Sequence, residues 1–161
     1  MYTVAEIQIN NGVPAATPVI FKETFEDAQG EMYVKLGYAY QNPRDYTLVI
    51  IFSDDMESVA FKEYDNREEK VPVWALAEIQ INDGTRAAVP VNVQVGENAE
   101  SVIMQAYHGA LQYAWNVQRE YTGCLAFSAD ESGMTGITTR HETVEFAPEE
   151  PEAETEPETN E

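Results

Sequence analysis

Residues Ala5–Val19 read AEIQINNGVPAATPV, and Ala77–Val91 read AEIQINDGTRAAVPV. Eleven of these fifteen positions are identical at a constant offset of 72. A second match follows, with Asp45–Ser53 (DYTLVIIFS) over Glu120–Ser128 (EYTGCLAFS) at an offset of 75. Two blocks recurring in one order describe a tandem duplication, with three residues inserted between the blocks of the second copy. Repeats are therefore expected over 1–72 and 73–147, with a separate tail over 148–161.

Inside the first block the side chains alternate. Ala5, Ile7 and Ile9 face one way and Val4, Glu6 and Gln8 the other, which is the period of a half-buried strand. Asn11-Gly12 and Asp83-Gly84 come next, dipeptides that accept the positive φ angles of a tight hairpin turn. The returning segments hold Pro18 and Pro90, which lack the N–H a ladder needs, so they should pair on one side only.

Each copy then turns helical. Thr24 can cap the first helix, with Asp27 three residues on, and Phe25, Ala28, Met32, Leu36 and Ala39 recur at helical spacing. Gly30 and Gly37 weaken this helix by ~1 kcal/mol each relative to alanine, and Asn42-Pro43 stops it. Asn98 is placed to cap the second, where Val102, Ile103, Ala106, Tyr107, Ala110, Leu111 and Ala114 form a wide apolar stripe. Tyr46–Phe52 and Tyr121–Phe127 read as central strands, with final strands near Val59–Tyr64 and Ile137–Phe146. The expected fold class is α+β. Two ββαββ units should pack as a pseudo-two-fold body, with a largely antiparallel sheet and helices on one side.

Composition narrows the classes of function. The chain has 161 residues, of which 43% are hydrophobic, and a net charge of −20. Residues 1–72 contribute −7, residues 73–141 contribute −4, and the last twenty residues contribute −9. Such a surface repels phosphate backbones, which argues against direct nucleic-acid binding. No apolar run exceeds five residues, the length of Leu48–Phe52, far short of the ~20 that span a bilayer. The opening MYTVAEIQIN lacks the basic and apolar segments of a signal peptide, so the default location is cytoplasmic. One cysteine permits no internal disulfide. Pro148–Glu161 has no apolar residue larger than alanine and is expected to be disordered.

No stretch matches a phosphate loop or a nucleophile elbow. Cys124 lies in a central apolar strand where the first copy has Val49, the setting of a packing residue rather than a nucleophile. His108 and His141 are 33 residues apart, which is not the short spacing of a zinc site. Asp54, Asp55 and Glu57, and later Asp130 and Glu131, follow the central strands. They read as turn formers, since neither group has the pattern of a calcium loop. No catalytic, cofactor or metal residue is assigned.

Glu6 and Gln8 recur as Glu78 and Gln80 on the polar side of equivalent strands. Tyr38 and Tyr40 align with Tyr113 and Trp115 near the helix ends. These eight residues are the candidate partner-binding set, because aromatic side chains with a polar handle are enriched at interfaces. The sequence favours a non-enzymatic acidic interaction protein whose duplicated body binds a protein partner, one with a basic surface. A nucleic-acid-mimicking inhibitor of a DNA- or RNA-handling enzyme is the alternative. Small-ligand binding at a cleft between the repeats is a further one.

Overall fold

The computed structural model describes residues 1–130 and 133–142. The acidic segment 148–161 and the end of the last expected strand lie outside the described residues.

Eleven elements build an α+β body of two antiparallel sheets and two helices. The first sheet holds β1 (Tyr2–Asn10), β2 (Val13–Ala16), β3 (Ile20–Lys22), β4 (Tyr46–Ser53) and β5 (Ser58–Asp65). Its order is β2-β1-β4-β5, with β3 also pairing β1. The second sheet holds β6 (Val73–Asn82), β7 (Thr85–Val95), β8 (Tyr121–Asp130) and β9 (Gly133–Glu142), in the order β7-β6-β8-β9. Helix α1 spans Phe25–Gln41 and α2 spans Ala99–Val117. Among the described residues, no helix is long and apolar enough to cross a membrane.

The two sheets pack face to face. Ala5, Ile7, Leu48 and Ile50 of the first share one core with Ala77, Ile79, Leu125 and Phe127 of the second. On the far side of the first sheet, Val4, Val49 and Ile51 pack under Ala28, Met32 and Leu36 of α1. On the far side of the second, Leu76, Cys124 and Ala126 pack under Ala99, Ile103 and Tyr107 of α2. The layers therefore run helix, sheet, sheet, helix. This corrects the expectation of one sheet with both helices on one side. The reason is in β4, whose residues Tyr46–Phe52 are all buried. A strand apolar on both faces must cover both, at about 1.5–3 kcal/mol for each large aliphatic side chain removed from water. A helix covers one face and the other sheet covers the second.

Local chemistry sets the joints. Asn11 and Gly12 have φ of 52° and 79°, and Asp83 and Gly84 have 53° and 75°, the paired positive angles of a two-residue hairpin turn. Thr24 caps α1 by accepting from the Asp27 N–H at 3.1 Å. Asn98 makes no such side-chain bond, and instead the Ala99 N–H reaches back to the Gly96 carbonyl at 3.1 Å. The returning chain of the first half breaks into β2 and β3 around Pro18, while β7 runs through Pro90 with a register shift in its pairing to β6. Among the described residues both pair on one side only, β2 and β3 with β1 and β7 with β6.

Candidate functional site

The polar side of β1 is not an open face. It lies beneath α1, and Glu6 is only 4% exposed. The Glu6 carboxylate accepts from Arg44 at 3.1 Å and Thr17 at 3.3 Å, and the Lys35 ammonium stands 3.6 Å away. Arg44 also donates to Thr47 at 3.3 Å, and its guanidinium lies 5.2 Å from the centre of the Tyr38 ring. The second half makes a parallel arrangement. Glu78 accepts from Gln80 at 3.1 Å and faces Arg119 at 3.5 Å. Arg119 donates to Thr122 at 3.2 Å and lies 5.4 Å from the Tyr113 ring.

These two nodes follow from where the helices end. Each arginine sits just past a helix and just before a central strand, so its side chain folds back over the polar spot that the helix leaves on the sheet. A carboxylate taken out of water needs a cation and hydrogen bonds to offset its lost hydration, and each node supplies them. Acids next to the arginines hold the hairpins. Asp45 accepts the Gly12 N–H at 3.1 Å, and Glu120 accepts the Gly84 N–H at 3.2 Å. The sequence pattern alone does not single out Arg44 and Arg119, although they stand at the same offset of 75 as the block beginning one residue later.

Of the eight candidate contact residues, the polar and aromatic sets are thus placed differently. Glu6 is buried, while Gln8, Glu78 and Gln80 are half-buried. Tyr38, Tyr40, Tyr113 and Trp115 are 58%, 78%, 58% and 60% exposed on the outer sides of the helices. Tyr33, on α1, is equally open at 65%. Tyr33, Tyr40 and Tyr64 line a groove of about 590 Å³ between α1 and β5, with Gly37 between the two helical tyrosines.

The remaining reactive groups are committed to structure. Cys124 is fully buried, and burial, together with the nearby Glu78 carboxylate, pushes its thiol up to about 12. It stays protonated and shielded at neutral pH. Asp54 makes a two-pronged ion pair with Arg86, at 2.8 and 2.6 Å, and its carbonyl accepts from the Tyr121 hydroxyl. Asp55 accepts from the Ser53 hydroxyl and from the Glu57 N–H within the same turn. His108 is exposed and its ring meets that of Tyr107 edge-on. The side chains of Asp130 and His141, and Glu131, lie outside the described residues. Among the described residues, no three histidine, cysteine, aspartate or glutamate side chains gather where they could hold a metal ion.

A cleft of about 840 Å³ opens beside the connector 66–72. Its lining includes Glu63, Arg67, Lys70, Trp74, Ser128 and Thr135, so it draws on both halves. Arg67 grips Asp65 through two bonds of 2.9 Å and lies 4.8 Å from the Tyr46 ring centre. Tyr46 in turn donates to Glu63 at 2.6 Å. Burial and that bond raise the Tyr46 hydroxyl well above its usual range.

No protein-family model, curated protein or solved structure matches this chain.

Proposed function

We propose that this chain is a non-enzymatic interaction protein whose body binds a protein partner with a basic surface. The observation that carries the reading is the set of open aromatic side chains, Tyr33, Tyr38, Tyr40, Tyr113 and Trp115, each more than half exposed on an outer helix. Large rings left in water are unfavourable unless a partner covers them, and tyrosine and tryptophan are the residues that anchor interfaces. Glu6 and Glu78 belong to this reading as supports, since each holds an arginine that stacks under Tyr38 or Tyr113. We take the body to be two ββαββ units, 1–72 and 73–147, derived by duplication. Support comes from the shared sequence blocks and from the parallel Glu–Arg–Thr–Tyr nodes.

Charge supports the choice of partner. Seven of the nine lysines and arginines are ion-paired within the described residues, and these pairs engage only five carboxylates. What faces the solvent is therefore mostly acidic. The same observation favours a second reading, a nucleic-acid mimic that occupies the basic groove of a DNA- or RNA-handling enzyme.

Affinity capture with the full chain, from the cells that make it, tests both readings. A partner retained at high salt, and lost when Tyr38, Tyr40, Tyr113 and Trp115 become alanine, supports aromatic recognition. A nucleic-acid enzyme released by salt supports mimicry, because surface electrostatics are screened within about 10 Å at 0.1 M salt. Failure to retain any partner at either salt overturns the interaction reading.

A further inference from the structure

The groove between α1 and β5 differs from the rest of the surface in what it exposes and in what it omits. Tyr33 and Tyr40 stand on its helical wall and Tyr64 and Phe61 on its strand wall. Gly37 lies between the two helical tyrosines and also lines the groove. A β-carbon at Gly37 would meet nothing within 4 Å, so packing does not require a glycine there. The position of the second helix at the same offset is Gln112, a good helix former. The first helix thus carries an unfavourable residue, and the result is an open slot between two exposed rings.

The chain's own arginines show what such rings take. Arg44, Arg67, Arg86 and Arg119 each place their guanidinium within 5.4 Å of an aromatic ring centre. Among the described residues, no arginine does so at Tyr33 or Tyr40. Beyond Tyr40 the groove continues along Arg44, Asp45, Glu63 and Tyr64. Lys62 lines the groove itself, and Arg44 is already paired with Glu6. Asp45 and Glu63 have no ion pair with a cation among the described residues, so the free carboxylates at that end outnumber the one free ammonium. Along its other side runs β5, which pairs only with β4 among the described residues, leaving one edge of backbone N–H and C=O groups free for an extended chain. Two helical turns separate Tyr33 from Tyr40, about 10.5 Å, a span that three to four residues of extended chain cover.

We propose that the groove between α1 and β5 docks an extended, arginine-bearing segment of a protein partner, with guanidinium groups stacked on Tyr33 and Tyr40. The free carboxylates of Asp45 and Glu63 at one end select this occupant over a neutral proline-rich segment, and the planar guanidinium selects arginine over lysine. The assignment rests on the interaction reading above, but it can fail alone.

The test uses the full chain, a ten-residue threonine peptide with two arginines four apart, and its lysine counterpart, at 150 mM salt. Amide NMR shifts locate the peptide, and fluorescence anisotropy of labelled peptide gives its affinity. The expected result is shifts confined to 29–40 and 60–66, and arginine peptide bound about fivefold more tightly than lysine peptide. Tyr40→Ala or Gly37→Gln should weaken binding tenfold or more, on the order of a hot-spot loss. Gly37→Gln should leave the melting temperature unchanged or higher, which separates a filled slot from a damaged fold. Equal binding of the two peptides, binding untouched by both substitutions, shifts on α2, or no binding at all would each overturn the proposal. Partner capture that survives Tyr33→Ala and Tyr40→Ala would overturn the groove and leave the interaction reading standing.

Discussion

The sulfur of Met56 stands 2.6 Å from where a β-carbon on Gly123 would lie. Gly123 is in β8, at the position where the first half has Leu48. Met56 comes from the turn after β4, holds a φ of 67°, and is fully buried. A methionine in the left-handed region costs on the order of 1 kcal/mol or more, and burying its side chain in the gap left by Gly123 offsets that. One half thus inserts a plug into the sheet of the other.

Gly123→Ala should therefore cost about 1–3 kcal/mol by overpacking, and Met56→Ala about 2–5 kcal/mol by opening a cavity. The double variant should be less destabilised than the sum of the two, since the truncated plug makes room for the added methyl. Urea unfolding of the four proteins measures the coupling. Strict additivity would mean the two residues do not touch.

The carboxylates of the two nodes should be unequal, Glu6 being buried and Glu78 half-buried. Glu6 faces both Lys35 and Arg44, at 3.6 and 3.1 Å, whereas Glu78 faces Arg119 at 3.5 Å with Gln80 as a neutral partner. Removing one partner of a buried ion pair costs about 3–5 kcal/mol, because the charge left behind is uncompensated. Glu6→Ala strands two cations, so it should destabilise the protein more than Glu78→Ala. Thermal unfolding at neutral pH decides this, and the reverse order would count against the account of the nodes.

Much of this was legible in the sequence. Period-two alternation and the Asn-Gly and Asp-Gly dipeptides located the hairpins, and the 3.6-residue spacing of Phe25 to Ala39 located α1. The layering was not legible, because alternation says that Ile7 and Glu6 face opposite ways without saying what covers each. A glutamate on a strand reads as solvent-facing. Only the approach of Arg44 and Lys35, distant in sequence, makes burial of Glu6 feasible. The exposed aromatic rings were foreseeable in part, since Tyr38 and Tyr40 cannot both point inward from one helix. Gly37 was visible as a weak point in the helix. Its place between two tyrosines in a groove required the position of β5.

Alkaline pH should weaken the fold through Cys124. Its thiol has an ordinary value of 9.0 and is pushed up to about 12 by burial and by Glu78. Above pH 9 the unfolded chain loses a proton that the native state keeps. This stability is whole below pH 9 and falls as pH rises towards 12, by ~1.4 kcal/mol per pH unit. Cys124→Val, which installs the residue of Val49, should remove that limb. What remains is the loss due to Tyr46, whose raised hydroxyl acts in the same sense above 10.0. Unfolding midpoints in urea from pH 8 to 11 would show it, and identical slopes for both proteins would refute it.

Acid should act through Asp65. Burial alone would push its carboxyl up, but hydrogen bonds from Arg67 and Lys70 and the Arg67 charge outweigh that and hold it below its ordinary 3.8. The native state therefore keeps the carboxylate ionised at pH values where the unfolded chain has taken up a proton. The contribution is fully present above 3.8, and is lost as pH falls through the lowered native value. Arg67 anchors more than the connector, since it also donates to the Val71 carbonyl at 2.9 Å and covers the Tyr46 ring. Asp65→Asn keeps the shape and removes the charge, and should cost about 1–2 kcal/mol at pH 7, a charge-assisted bond at a partly screened site. The same substitution should flatten the acid limb between pH 4 and 2 and open the 840 Å³ cleft to faster proteolysis at 66–72. An acid limb as steep in the variant as in the parent would show that other carboxylates set it, and that the Asp65–Arg67 clasp adds little.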